Sequence, residues 1–282
     1  MMRALSREGW QPKYLQKKDW SALLGQGFAA GVGIYNNLRQ EYERAGAQAP
    51  ERDATKRAEL IQACGDAAVK IVQQKTADML TSGLNAGDDD QGYQDKLEQR
   101  IRKSVSSYIA SDPIPDSWRI VDAEKDFGEA YGNARADLVC RDANGALVII
   151  DYKTKLTLAA QYRNKTIQEF ANSHQMLHYS WAAEHTYGDS VATFYIGLAV
   201  LEPRYAFDLI PFPVAPESLQ VWLASAQVVW GHMEREESGE VVPWMSANHS
   251  DNFGQCPYYK ACFVHHYDPA LMGADYVNVG AR

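Results

Sequence analysis

Two aspartates and a lysine stand close together in the middle of the sequence, on two neighbouring segments that predict β-strands. Asp137 lies on the first segment, Asp151 and Lys153 lie on the second, and Asn144-Gly145 separates them. Asn-Gly between two apolar runs is a strong β-hairpin signal. Pairing about this turn puts Asp137 almost opposite Asp151, and side-chain alternation puts Lys153 on the same face. The pattern predicts a small patch with two carboxylates and one ammonium.

Charged side chains at this place require an explanation, because the preceding residues 147–150 are all apolar and burying a charge costs free energy. A bound divalent cation supplies one, since carboxylate oxygens suit Mg²⁺ or Mn²⁺ and the backbone carbonyl of Tyr152 can add a third ligand. Lys153 is placed to hold an attacking water or the charge that develops on a phosphate. We therefore predict that Asp137, Asp151 and Lys153 are catalytic, and that the two aspartates and the Tyr152 carbonyl bind metal.

Asp137 followed by Asp151-Tyr152-Lys153 resembles the metal-binding core of the PD-(D/E)XK nuclease superfamily. The resemblance implies a Mg²⁺- or Mn²⁺-dependent DNA nuclease, acting as an exonuclease or as an end- or flap-processing enzyme. It also implies DNA as the substrate, with a helicase, a recombinase or a single-strand-binding protein as a possible partner in repair or recombination.

Gln175 and Tyr179 form a Q-x-x-x-Y pair on a later helix, similar to the signature of the RecB-type branch, which includes phage exonucleases and CRISPR-associated nucleases. Residues four apart lie on one helix face. The resemblance implies that this face looks back at the metal site, where the pair positions the substrate strand or orients Lys153. A Gln-Tyr pair on a half-buried helix is the alternative.

The third metal ligand is open. RecB-type nucleases commonly carry a G-x-x-x-H helix ahead of the core, and the matching residues 31–35 end in Tyr35 instead of His. A tyrosine phenol stays protonated at neutral pH and is a poor Mg²⁺ ligand. Glu41 and Glu43 on the same helix are alternatives, although exposed helix positions explain both. Glu124 is the kind of residue that the resembled family carries on the first core strand, and an exposed strand position is an equally good explanation for it.

The segments around these residues predict an α/β protein. Apolar periodicity predicts helices over 20–45, 52–82, 92–110, 165–187 and 216–237, and strands over 119–127, 134–140, 146–153, 191–201 and 205–212. This order suits a central mixed sheet flanked by helices, a restriction-endonuclease-like core with an N-terminal helical elaboration. We expect an N-terminal helical region over 1–115 that packs on the core, a nuclease core over 116–240, and a loop-rich tail over 241–282.

The tail resembles RecB-type nucleases in which one early and three late cysteines hold an iron–sulfur cluster. Cys256 and Cys262 match the last pair, His249 stands near the place of the missing late cysteine, and Cys64 is the first cysteine of the chain. A cubane cluster usually needs four thiolates, so we do not expect one. Zinc bound by His249, Cys256, Cys262 and a following histidine is one alternative, and a decayed motif that packs on the core is the plainer one.

The composition is that of a globular protein, with 46% hydrophobic residues among 282. The net charge of −8 argues against a protein that coats nucleic acid through bulk electrostatics, but it is compatible with a local basic channel. Basic residues near the predicted site are Arg135, Lys153, Lys155, Arg163 and Lys165. The sequence has no apolar run long enough for a membrane span and no apolar leader, so we expect a cytoplasmic protein, in the host cytoplasm if a phage encodes it.

Two other functions compete with the nuclease. A catalytically weakened nuclease-like module that binds DNA or a protein partner would explain Tyr35 and the incomplete cysteine set. Against it, Asp137, Asp151 and Lys153 are all retained, whereas a site without a function is expected to lose such costly charges first. An unrelated α/β protein with a fortuitous D-x-K would leave Gln175 and Tyr179 as coincidences.

Overall fold

The computed structural model describes residues 10–12, 20–46, 54–81, 90–155, 157–171, 174–201, 205–238, 240, 250–251, 254–255 and 276–278. The chain divides into two compact units. The larger comprises residues 19–77 and 88–224 and contains every residue of the predicted catalytic site. The smaller comprises 1–18, 78–87 and 225–282. Within its described part, strand β1 (Trp10–Pro12) pairs with β9 (Tyr276–Asn278), and β7 (Ser250–Asp251) pairs with β8 (Gly254–Gln255).

The helices are α1 (Trp20–Arg44), α2 (Ala54–Thr81), α3 (Asp90–Ser111), α4 (Ala160–Ala171), α5 (His174–Tyr187) and α6 (Pro216–Glu237), with a short 3₁₀ helix at Glu129–Tyr131. The periodicity predicted most of these bounds to within two residues. The single helix predicted over 165–187 is wrong in its extent, because α4 begins at residue 160 and the structure describes two helices on either side of residues 172–173. Within the described residues, no helix is both long enough and apolar enough to cross a bilayer.

The central sheet contains β2 (Arg119–Asp126), β3 (Arg135–Arg141), β4 (Leu147–Lys155), β5 (Val191–Val200) and β6 (Ala206–Pro213), in that spatial order. The β3–β4 hairpin is antiparallel, and so are the β2–β3 and β5–β6 pairs. Strands β4 and β5 are parallel, which requires a crossover, and α4 and α5 provide it. The predicted mixed sheet with helices around it is confirmed.

Strand β4 is buried on both faces, as its continuous apolar run predicts. Leu147 and Ile149 lie in the apolar cluster that includes buried alanines of α5, and Val148 and Ile150 lie in the cluster on the opposite face. Side-chain alternation therefore puts the next odd-numbered residues, 151 and 153, on the α5 side of the sheet.

Helix α1 approaches both the other N-terminal helices and the sheet, and its glycines permit this. A Cβ atom on Gly27 would lie 2.6 Å from Cδ1 of Ile101 on α3. A Cβ atom on Gly31 would overlap Val105, which also lies on α3. A Cβ on Gly33 would lie 2.8 Å from the Glu124 carboxylate on β2. Because larger side chains would push these elements apart, the glycines allow α1 to form one wall of the site.

Candidate active site

The two predicted aspartates lie where the β3–β4 hairpin opens. The last pair of the hairpin ladder is Leu138 opposite Ile150, and Asp137 and Asp151 follow immediately beyond it. Here the backbone N–H of Tyr152 donates to Oδ2 of Asp137 at 2.6 Å. This bond joins the two strands through a side chain, and the carboxylates come to lie side by side at the end of the ladder.

A chain of hydrogen bonds runs from the hairpin to helix α5. Lys153 Nζ lies 2.7 Å from Oδ2 of Asp151 and donates to Oε1 of Gln175 at 2.7 Å. The amide Nε2 of Gln175 in turn donates to the Tyr179 hydroxyl at 2.7 Å. The structure thus joins the D-x-K residues of β4 to the Q-x-x-x-Y residues of α5, although 22 positions separate Lys153 from Gln175.

Burial raises the pKa of both aspartates, and the charge of Asp151 adds to this at Asp137. Desolvation, followed by the charge of Asp151, raises the pKa of Asp137 to about 7, against the opposing effect of the Tyr152 hydrogen bond. Desolvation also raises the pKa of Asp151, which is 4% exposed, and its ion pair with Lys153 opposes this. One ammonium shared by two such carboxylates leaves an excess of negative charge that a cation would relieve.

Glu124 is a third carboxylate beside this pair. Ala123 pairs with Leu138 and Lys125 pairs with Ala136, so Glu124 lies across from Asp137 between two regular pairs. Its φ of 52° is rare for a residue with a side chain, and such strain is concentrated at functional sites.

The Glu124 carboxylate accepts a hydrogen bond from Arg135 Nη2, and its charge contributes to the raised pKa of Asp137. Its side chain is only 22% exposed, so the exposed-strand explanation is wrong. Apart from the family resemblance, no signal in the strand sequence separated this position from its neighbours, because the strained φ and the partner on the next strand appear only in the fold.

All these groups line one cavity of about 770 Å³. The predicted catalytic and substrate-positioning residues lie on the wall formed by the sheet and α5, together with Glu124 and Arg135. The facing residues come from α1 and α2 and include Gln26, Ala29, Ala30, Gly33, Ile34, Asn37 and Lys75.

Tyr152 anchors the D-x-K segment from the opposite face of β4. Its hydroxyl lies 2.5 Å from the Tyr108 hydroxyl on α3 and accepts a hydrogen bond from Asn36 Nδ2 on α1 at 3.3 Å. Gly197 on β5 leaves room for the ring, since a Cβ there would lie 2.5 Å from Cδ1 of Tyr152. The residue between the aspartate and the lysine thereby holds the end of β4 against the N-terminal helices.

Helix α1 contributes no acidic residue to the cavity. Tyr35 is 1% exposed and packs edge-to-face on Tyr108, with ring centroids 6.0 Å apart, so it does not take the place of a metal-binding histidine. Glu43 pairs with Arg39 at 3.1 Å and accepts the N–H of Ile120 at 3.0 Å. Glu41 is exposed and does not line the cavity. These positions lie on other faces of the helix than the one that contacts Glu124.

Asp137 and Asp151 are the acidic pair that fits a divalent cation. Among the residues that the structure describes, no three His, Cys, Asp or Glu side chains form a metal-binding group. Mg²⁺ commonly binds through one or two carboxylates and completes its shell with water and substrate phosphates, so a pair is sufficient. The predicted tail ligands Cys256, Cys262 and His249 lie outside the described residues. Cys64 and Cys140 are both buried free thiols.

The chain matches a known family over most of its length. The family model for the PD-(D/E)XK nuclease superfamily matches residues 35–263. No curated protein sequence shows a significant match. The match confirms the superfamily indicated by Asp137, Asp151 and Lys153, and it does not distinguish the RecB-type branch.

Proposed function

Because this chain belongs to the PD-(D/E)XK nuclease superfamily, we propose that it is a Mg²⁺- or Mn²⁺-dependent deoxyribonuclease that hydrolyses phosphodiester bonds, as an exonuclease or as an end- or flap-processing enzyme. The observation that carries the proposal is the Asp151–Lys153 ion pair, continued by hydrogen bonds to Gln175 and Tyr179, beside Asp137 in one cavity. A fold retained only for packing has no need of such a chain.

Asp137 and Asp151 would hold the metal, with the Tyr152 carbonyl as the third protein ligand. When bound, the ion polarises the phosphodiester and lowers the pKa of a bound water. The excess negative charge of the two aspartates, with a raised pKa on each, supports this assignment.

Lys153 would hold the attacking water or stabilise the charge that develops on the phosphate. Asp151 and Gln175 contact its ammonium from two sides, so the orientation of that group is set before substrate binds. The amide Nε2 of Gln175 donates a hydrogen bond to the hydroxyl oxygen of Tyr179. The Tyr179 O–H can therefore donate to a phosphate oxygen of the strand.

The second candidate is a nuclease-like module with weakened catalysis that binds DNA or a protein partner. The observation that favours it is the cavity face of α1, where Ala30, Gly33, Ile34 and Asn37 supply no acidic ligand. The retained Asp137, Asp151 and Lys153 favour the enzyme.

Cleavage of end-labelled single- and double-stranded DNA in Mg²⁺, Mn²⁺ or EDTA tests the proposal. We expect metal-dependent digestion that Asp137→Ala and Asp151→Ala abolish and that Lys153→Ala slows by about 10²–10³-fold, the typical cost of losing one charge-stabilising group. Asp66→Ala is the matched control, because Asp66 lies in an exposed ion pair with Arg102. Wild-type rates in either active-site aspartate variant would refute the assignment. DNA binding without digestion in any metal would favour the binding module.

A further inference from the structure

Lys75 and Gln26 form a polar pair on the α1–α2 wall of the cavity. Lys75 Nζ on α2 donates to Oε1 of Gln26 on α1 at 2.9 Å, and both residues line the cavity. Neither takes part in the chemistry proposed above. Both side chains are exposed, so they are accessible to a ligand that enters the cavity.

The ammonium of Lys75 has different neighbours from those of the other two cationic side chains that line the cavity. Arg135 is paired with the Glu124 carboxylate, and Lys153 is paired with the Asp151 carboxylate. The hydrogen-bond partner of Lys75 is a neutral amide. Among the residues that the structure describes, no carboxylate pairs with this ammonium, so its positive charge remains available to an anionic ligand.

The wall beside Lys75 leaves space for an extended chain. Gly25, Ala29, Ala30 and Gly33 of α1 line the cavity with side chains no larger than a methyl group. The volume of about 770 Å³ lies in the range of pockets for small molecules, which is room for a short stretch of one strand. A sugar-phosphate chain that passes this wall would bring a second phosphate towards Lys75 while the scissile phosphate lies at the D-x-K residues.

We propose that Lys75, positioned by Gln26, binds a non-scissile backbone phosphate of a single nucleic-acid strand in the cavity. The inference rests on the proposed nuclease function and adds a second phosphate site to it. In a protein with a net charge of −8, this site supplies local attraction for a polyanion that the bulk charge does not.

The test is the salt dependence of DNA binding without cleavage. A fluorescein-labelled oligodeoxythymidylate is titrated with wild-type protein, Lys75→Gln and Lys75→Arg, in EDTA and in Ca²⁺, over a range of KCl concentrations. Lys70→Gln is the matched control, because Lys70 is an exposed lysine of the same helix that does not line the cavity.

One lost phosphate contact on a single strand lowers the slope of log K against log salt by about 0.7, which is about fivefold in affinity at 0.1 M salt. We expect this change for Lys75→Gln, and a wild-type slope for Lys75→Arg and Lys70→Gln. We expect Gln26→Leu to weaken binding with the slope unchanged, because the charge remains and only its positioning is lost.

An unchanged slope in Lys75→Gln, with wild-type binding intact, would overturn the phosphate site and leave the nuclease proposal standing. Equal losses in Lys75→Gln and Lys70→Gln would also overturn it, since they would show a diffuse electrostatic effect. A wild-type protein that binds no DNA in either condition would overturn the inference together with the proposed function.

Discussion

In metal-free protein, Asp137→Asn should increase the free energy of unfolding at pH 8. The wild-type carboxylate is disfavoured there by desolvation and by Asp151, which together raise its pKa to about 7 from the usual 3.8. The asparagine carbonyl can still accept the Tyr152 N–H that Asp137 accepts at 2.6 Å. The substitution therefore removes a repelling charge and keeps the hydrogen bond.

The magnitude follows from the pKa. A rise from 3.8 to about 7 corresponds to about 4 kcal/mol at most. Water in the cavity screens part of this, so we expect a stabilisation of about 1–3 kcal/mol. A carboxyl whose pKa is higher in the folded state than in the unfolded state binds more protons when folded, so the contribution of Asp137 to the unfolding free energy of the wild type falls as pH rises from about 4 to about 7 and then levels off. The advantage of the variant should grow over the same window.

Urea unfolding in EDTA at several pH values between 4.5 and 8, for wild type, Asp137→Asn and Asp66→Asn, measures this difference. Asp66 is about half exposed, and its variant should stay within about 0.5 kcal/mol of wild type. Saturating Mg²⁺ should then stabilise the wild type by about 2.7 kcal/mol at 100 times Kd and leave Asp137→Asn nearly unchanged. A less stable Asp137→Asn at pH 8, or an advantage that does not depend on pH, would refute the reasoning.

Three further outcomes are expected. Apparent Mn²⁺ affinity, followed by electron paramagnetic resonance, should fall by up to about tenfold for each pH unit below about 7, because metal must displace the proton of Asp137; an affinity that is flat from pH 5.5 to 8 would contradict this. Gln175→Leu should lower kcat by about 10–100-fold with little change in KM, since the Lys153 ammonium loses an orienting contact. The control Gln168→Leu, at an exposed position of α4, should leave kcat at the wild-type value. Gly31→Ala should lower the free energy of unfolding by about 1–3 kcal/mol, measured by thermal unfolding, because the added Cβ overlaps Val105. The control is Gly65→Ala, whose Cβ would meet nothing nearer than 3.7 Å and which should be neutral or stabilising by up to about 1 kcal/mol. Equal effects of the two substitutions would argue against close packing of α1.

Local pattern was sufficient for most of the elements of the larger unit and for the part of the site that lies on the β3–β4 hairpin. Alternation about Asn144-Gly145 predicts that Asp137, Asp151 and Lys153 share one face, and the observed β3–β4 register places them so. Such predictions succeed because strand alternation and turn chemistry depend only on neighbouring residues.

The rest of the site depended on how distant segments pack. The contact of Lys153 with Gln175 exists because the α4–α5 crossover brings α5 back over the sheet. The residue spacing indicates only that Gln175 and Tyr179 share a helix face, and the direction of that face came from the family resemblance. The single helix predicted over 165–187 did not indicate how the chain crosses between β4 and β5.

The helix ahead of the core shows the same division. The sequence predicted α1, and the family resemblance placed Tyr35 where a metal-binding histidine would fall. Small residues occur on several faces of this helix, so the sequence did not determine which face turns towards the site. Close packing of Gly31 on Val105 turns Tyr35 towards Tyr108 and brings Gly33 against Glu124. The sequence by itself determined the hairpin with its two aspartates and lysine, because those relations are local. The tertiary structure alone decided that Glu124 joins them and Tyr35 does not, because side-chain volumes on separate helices and strands set the rotation of α1.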